Sequence, residues 1–237
     1  MSKPALDLRV GFEPIVRLRD EVAVAHELLL RPVTGGRLCD QAAKAGVDMT
    51  WVTTFALRSA GAVLERSNER LHINVTPEDL TRPTFLPSLE ESIGFAALPL
   101  LTLEVTEETE LVRDLTLRTA LIELRRRGIR LAVDDLGDGW ASVDNVEFLG
   151  PEIIKIRLDH LRGDQGRSRA AELRALAAKH HADVVVEQIE TSADVELVRG
   201  LELSHGQGWY WDGRFPGPAS PLPHGATGRS AGSSELG

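Results

Sequence analysis

Cysteine is almost missing from this chain. Its 237 residues hold one, Cys39, so no internal disulfide can form and a reducing compartment suits it. Aromatic residues are also few, at 5%, but an apolar content of 42% is enough for a sizeable core. No apolar run reaches the roughly 18 residues that a membrane span needs. The start, Met1-Ser-Lys-Pro-Ala-Leu-Asp7, lacks the apolar centre of a signal segment. Positive charge is in deficit: a net charge of −9 and a pI near 5.3 argue against binding a nucleic-acid polymer. They leave room for a small phosphate ligand, because a bound metal inverts the local field. A cytoplasmic protein with no membrane partner is expected. The seven histidines show no His-x-x-x-His spacing, and no Gly-x-Gly-x-x-Gly follows the first strand.

What the chain does have is a pair of adjacent acids, Asp134-Asp135. They end the apolar run Ile129-Arg-Leu-Ala-Val133 and precede Leu136-Gly-Asp-Gly139. Neighbouring strand residues point to opposite faces, so both acids can serve one site only where the strand stops and turns. Gathered negative charge at such a point calls for a cation.

Around this pair, β-like and helical runs alternate. Phe12–Leu18 and Val22–Leu30 are separated only by Arg19-Asp-Glu21, which reads as a hairpin. Strands are expected at 71–75, 100–105, 129–134, 153–156, 183–187 and about 206–211. Helices are expected at 50–66, 111–127, 168–180 and from about 193, the last capped by Thr191 or Ser192. The pattern predicts an α/β fold, a TIM-like (β/α)8 barrel whose first unit is an antiparallel hairpin, with an open doubly wound sheet as the alternative. Residues 1–216 are expected to form this domain. Residues 217–237, rich in Pro, Gly, Ser and Ala, are expected to be a disordered tail.

Barrel chemistry sits at the C-terminal strand ends. Those ends read Glu27, Asn74, Glu104, Asp134 with Asp135, Lys155, Glu187 and Gln207. An oxygen-rich set without Cys or His favours Mg²⁺ or Mn²⁺. Five acids exceed what one divalent ion neutralises, so two ions about 3.5–4 Å apart, bridged by Asp134, are expected. Lys155 adds positive charge or orients a water. These residues point to metal-assisted phosphoester hydrolysis and leave the substrate open.

At this point the motifs resemble the EAL-domain cyclic di-GMP phosphodiesterases, from about Val10 to Pro216. Phe12-Glu-Pro-Ile15 is similar to the opening Gln-Pro-Ile segment, and Glu27-Leu-Leu-Leu-Arg31 to Glu-Ala-Leu-x-Arg. Asn74-Val-Thr-Pro77 is similar to Asn-x-Ser-Pro, and Glu104-Val-Thr-Glu107 to Glu-x-Thr-Glu. Asp134–Trp140 resembles Asp-Asp-Phe-Gly-Thr-Gly-Tyr, and Ile154-Lys-Ile156 resembles Ile-Lys-Ile-Asp without its acid. Glu187-Gln-Ile-Glu190 resembles Glu-Gly-Val-Glu, and Gln207-Gly208 matches the closing Gln-Gly.

The resemblance implies that Glu27, Asn74, Glu104 and Asp134 hold a first metal, with Asp135 and Glu187 near a second. It implies that Lys155 and Glu187 are catalytic, that Glu13, Arg31 and Gln207 lie at the substrate, and that Glu107 and Glu190 hold neighbouring loops. The implied reaction opens cyclic di-GMP to linear pGpG. The family's tendency to pair adds a homodimer as a candidate assembly, which no residue pattern here carries.

The chain departs from the pattern at Glu13, Leu28, Leu136, Asp138, Gln188 and Arg157. Lys155 and Arg157 alternate onto one strand face, so Arg157 is expected at the mouth. There its charge opposes a second cation or grips a phosphate. A catalytically weak module that binds the nucleotide or a protein partner is therefore the alternative to an active enzyme.

Overall fold

The computed structural model describes residues 6–106, 115–138, 141–218 and 226–228. Strand β1 (Leu6–Arg17) pairs antiparallel with β2 (Val22–Pro32), with a register shift at Ile15/Val16. Helices α1 (Leu38–Ala45) and α2 (Met49–Leu64) follow, then β3 (Leu71–Val75), α3 (Pro77–Thr81) and α4 (Phe85–Ile93). Next come β4 (Leu101–Val105), α5 (Leu115–Arg126 as described), β5 (Arg130–Val133), α6 (Val143–Leu149) and β6 (Ile153–Arg157). The chain continues through α7 (Gly166–His180), β7 (Asp183–Glu187), α8 (Ser192–Gly200) and β8 (His205–Gly206).

Strands β2 to β8 run parallel in sequence order, and β1 closes the ring by pairing antiparallel with both β8 and β2. The sheet is thus an eight-stranded barrel opened by a hairpin, with helices between the parallel strands. Within the stretch expected as a tail, Ala226–Gly228 forms a further strand, β9, against Leu6–Leu8. The last barrel strand is shorter than expected. It covers His205–Gly206 only, and Trp209–Trp211 turns into a 3-10 helix.

Helix starts follow local chemistry. Asp48 caps α2 through the Thr50 amide. Thr191 begins α8 with a capping box that Asp194 completes.

Alternation along the strands sorts side chains into two environments. Leu71, Ile73 and Val75 of β3, Leu101, Leu103 and Val105 of β4, Ile154 and Ile156 of β6, and Val184 and Val186 of β7 face the helices in one buried cluster. Each fully buried residue of this kind stabilises the fold by roughly 1.5–3 kcal/mol. The opposite parity faces the lumen. Its lower half is a plug of Ile15, Ala25, Ala132, Ile153 and Val185. One step of the same parity nearer the C-terminal end of the parallel strands, the lumen turns polar: Glu27, Asp134 just past β5, Lys155 and Glu187, with Glu13 two residues before Ile15 in the antiparallel β1. The fold therefore supports one polar chamber above an apolar floor, at the C-terminal end of the parallel strands.

Candidate active site

Lys155 stands at the centre of that chamber with its side chain 1% exposed. Its Nζ lies 2.8 Å from Glu187 Oε1, 2.9 Å from Glu104 Oε2, 3.1 Å from Asp134 Oδ1 and 3.2 Å from Glu27 Oε2. Five strands, β2, β4, β5 with its end, β6 and β7, thus deliver one group each. Asn74 Nδ2 donates to Glu27 Oε1 at 2.7 Å, which leaves the amide oxygen available as an acceptor. Gln207 Nε2 donates to Glu27 Oε2 at 2.6 Å. Glu13 stands opposite Glu27 in the hairpin register and also meets Gln207. The expected residues Glu13, Glu27, Asn74, Glu104, Asp134, Lys155, Glu187 and Gln207 therefore meet in one place.

One ammonium cannot neutralise four carboxylates, and in this buried setting the excess raises several of their pKa values. Burial, then the neighbouring carboxylates, pushes Glu104 well above the usual range. Burial, with Asp134 and Glu27 adding, pushes Glu187 up to about 8. Burial also raises Asp134 and Glu13. Glu27 behaves oppositely: burial would raise it, but Lys155, Gln207 and Asn74 together bring it below its ordinary value. Burial pulls Lys155 down, yet Asp134, Glu104, Glu187 and Glu27 outweigh it and keep the ammonium charged.

The donors suit a hard divalent cation. Among the described residues, no three carboxylate or imidazole groups stand in the arrangement of a formed ion site, and the Lys155 ammonium lies among the four carboxylates. The chemistry still fits. Oxygen donors from Glu27, Asn74, Glu104 and Asp134 converge, and two buried oxygens here, Asp134 Oδ1 and Gln207 Oε1, have no aligned hydrogen-bond donor. Asp134 Oδ1 has the ammonium at 3.1 Å but off a hydrogen-bond line. Acceptors without donors beside surplus negative charge are what a cation relieves.

The turn after β5 explains how both adjacent acids serve the mouth. Asp134 N–H donates to Val105 O, and Asp135 takes a left-handed φ of 45°. The chain then returns so that Leu136 N–H bonds Lys155 O at 3.0 Å. Asp134 and Asp135 both line a groove of about 420 Å³, walled by Leu30, Leu38, Met49 and Val52. Gln207 is placed by a tight backbone. Gly208 has φ 146°, and a Cβ there would sit 2.4 Å from Ile189 backbone atoms. A larger cavity of about 660 Å³ opens on the opposite face, lined by Arg17, Arg19, Arg199 and His205, away from the inward acids.

Arg157 lies at the mouth, as its alternation with Lys155 predicts. Its guanidinium is engaged by the chain itself: Nη1 lies 3.0 Å from Asp138 Oδ2 and Nη2 lies 2.5 Å from Asp159 Oδ2. His160 Nε2 adds a contact to Asp138 at 3.2 Å. Two departures from the family pattern, Asp138 and Arg157, are therefore partners in one ion pair.

Arg31 sits at the end of β2, on the same strand face as Glu27 but exposed, outside the Lys155 cluster. The Glu190 side chain is exposed, while its backbone N–H donates to Asp194. Glu107 lies outside the described residues. One residue of the chamber escaped the sequence reading. His72 of β3 shares a strand face with Asn74, and its Nδ1 is 2.7 Å from Glu104 Oε1. Its signal was parity, two positions before a candidate ligand, rather than any histidine spacing. Burial, then Lys155, pushes it down to about 3, so it is neutral.

Known proteins resemble this chain in sequence and in fold. A family model described as "EAL domain" covers residues 5–213. An uncharacterised protein of Mycobacterium tuberculosis is 29% identical over 229 residues, spanning 86% of this chain and 74% of its own. The cyclic di-GMP phosphodiesterase NbdA of Pseudomonas aeruginosa is 27% identical, over 88% of this chain but 29% of its own length. Klebsiella pneumoniae BlrP1, solved with calcium and cyclic di-GMP, shares the fold with a TM-score of 0.72 at 23% identity. The match covers 88% of this chain and 57% of that one. With a family model over most of its length and the family's motif positions gathered around one lysine, the chain belongs to the EAL-domain family.

Proposed function

We propose that this chain hydrolyses cyclic di-GMP to linear pGpG. The observation that carries the reading is the convergence of Glu27, Glu104, Asp134 and Glu187 on Lys155, with Asn74 and Gln207 on Glu27. The match to NbdA, a cyclic di-GMP phosphodiesterase by name, supports the substrate. The calcium complex of BlrP1 supports a divalent ion.

Divalent ions, Mg²⁺ or Mn²⁺, held by Glu27, Asn74, Glu104 and Asp134 with a second near Asp135 and Glu187, would polarise the phosphoryl group and acidify a water. The chain's own groups do the rest. Glu187, ionised once bound cations offset the surplus charge around it, takes the proton from the attacking water. Lys155 holds the water or the phosphoryl oxygen and offsets charge that builds during attack. The water oxygen adds to phosphorus, one phosphodiester P–O bond breaks, and the leaving ribose oxygen takes a proton from solvent, while Glu187 returns its own to solvent. Arg31, at the open end of β2, meets the second phosphate. The groove walled by Leu30, Leu38, Met49 and Val52 takes a base, and Glu13 with Gln207 lines the inner end. The loop after β7 is held by the Glu190 backbone N–H on Asp194.

A second reading, a module that binds cyclic di-GMP with little turnover, is favoured by one observation. Arg157 places a fixed positive charge beside Asp138 and near Asp135, where a second ion would sit. Incubation with cyclic di-GMP and Mn²⁺ or Mg²⁺ separates the two. The expected result is pGpG formation that Glu27→Ala abolishes. Intact nucleotide at micromolar protein, with binding retained, would instead establish the second reading, and undiminished turnover by Glu27→Ala would remove the ligand assignment.

A further inference from the structure

We propose that His72 is a positioning residue that holds Glu104 in the orientation a cation needs. This inference rests on the metal-dependent reading above and adds a residue to it. Glu104 is 0% exposed and has one anchor at each oxygen: Oε2 faces Lys155 Nζ at 2.9 Å, and Oε1 faces His72 Nδ1 at 2.7 Å. The lysine anchor is shared among four carboxylates and sits on a flexible side chain. The histidine anchor serves Glu104 within the chamber and sits on a rigid strand. His72 pairs in register with Thr102 of β4, two residues before Glu104. The imidazole is itself 2% exposed and walled in on the lumen side of β3.

A carboxylate that carries its charge can only accept a hydrogen bond, so the proton between the two residues then belongs to Nδ1. A neutral imidazole buried at this position has one tautomer that does this, with the proton on Nδ1 and the lone pair on Nε2. Fixing the plane of a ligating carboxylate from behind is the role that hydrogen-bond partners of metal ligands commonly play. Lys155 cannot replace it, since a cation drawn to Glu104 competes with the ammonium for the same carboxylate.

The test is Mn²⁺ binding by calorimetry to the metal-free full chain without nucleotide, so that no turnover enters the readout. His72→Phe keeps ring volume and removes the donor. His72→Asn places an amide N–H near the Nδ1 position, and His72→Gln near Nε2. The expected result is a roughly 10–100-fold weaker affinity for His72→Phe and His72→Gln, and recovery to within about threefold of the parent for His72→Asn. Parent-like affinity in a folded His72→Phe overturns the inference. If His72→Phe does not fold, the amide pair decides: equal affinity of Asn and Gln variants overturns it, and tighter binding by Asn supports it. Failure of the parent chain to bind Mn²⁺ would count against the metal-dependent reading itself, so the two failures are distinguishable.

Discussion

At the level of single residues, Glu187 shows most directly how surplus charge is stored in the chamber. Burial moves its carboxyl to about 8 from an ordinary value near 4.5. Across that window the folded chain keeps a proton that the unfolded chain has already released. Stability contributed by this group is therefore present at the acidic end and lost as pH rises towards 8. Metal-free protein is expected to show a urea midpoint that falls between about pH 5.5 and 8. Glu187→Gln, which cannot ionise, should give a shallower decline. Some slope will persist in the variant because Glu104 is displaced in the same direction. Parallel midpoint profiles for the two proteins would contradict the assignment. His72 has the opposite sign, since burial lowers it, and its effect falls on the acid side of pH 6.5.

At the level of elements, the strand-to-helix turns place the site and carry the backbone strain. Asp135 after β5 and Gln188 after β7 both take left-handed φ values, 45° and 61°. At Gln188 the resembling motif has glycine, and the conformation explains why: a Cβ there costs roughly 1–2 kcal/mol. Glycine loses roughly 0.5–1 kcal/mol more chain entropy on folding, which offsets part of this. Gln188→Gly is expected to stabilise the fold by about 0.5–1 kcal/mol in denaturant unfolding. A lower midpoint would mean that the glutamine side chain makes a stabilising contact of its own. The loop after β5 is tied to the end of β6 by Asp138–Arg157, and His160 joins the same acid. Each partner alone reads as a departure from the family motif. Only the turn geometry makes them a pair, which is why the sequence reading cast Arg157 as a charge in search of a phosphate or in conflict with a cation.

At the level of the whole molecule, the barrel is closed around a charge imbalance that Lys155 only partly relieves. Removing the ammonium should leave the four acids facing one another. Lys155→Met is expected to cost about 3–5 kcal/mol in metal-free protein, the usual penalty for stripping one partner from a buried ionic cluster. Mn²⁺ at about 100 times its dissociation constant should add about 2.7 kcal/mol to the parent's stability. The gain should be larger in the variant, because no ammonium has to yield the carboxylates. Thermal melts with chelator and with Mn²⁺ read both effects. Equal Mn²⁺-dependent shifts in the two proteins would show that Lys155 and the ion do not compete. The described residues contain no helix long and apolar enough to cross a membrane.

The alternation of β-like and helical runs, the hairpin start and the polar residue late in each strand were all legible in the sequence. Strand parity and helix periodicity are local properties, and they locate Glu27, Asn74, Glu104, Asp134, Lys155, Glu187 and Gln207 without any contact being known. The short helices α3 and α6 were not legible, because five to seven residues carry too little periodicity. Three matters were decided only by the closed barrel. Lys155 became the shared partner of four acids from four other strands. His72 became the support of Glu104. Arg157, at the mouth, became paired with Asp138 and Asp159 rather than left unpaired. Each depends on distances between strands far apart in the chain, which register and closure set and which no local pattern encodes.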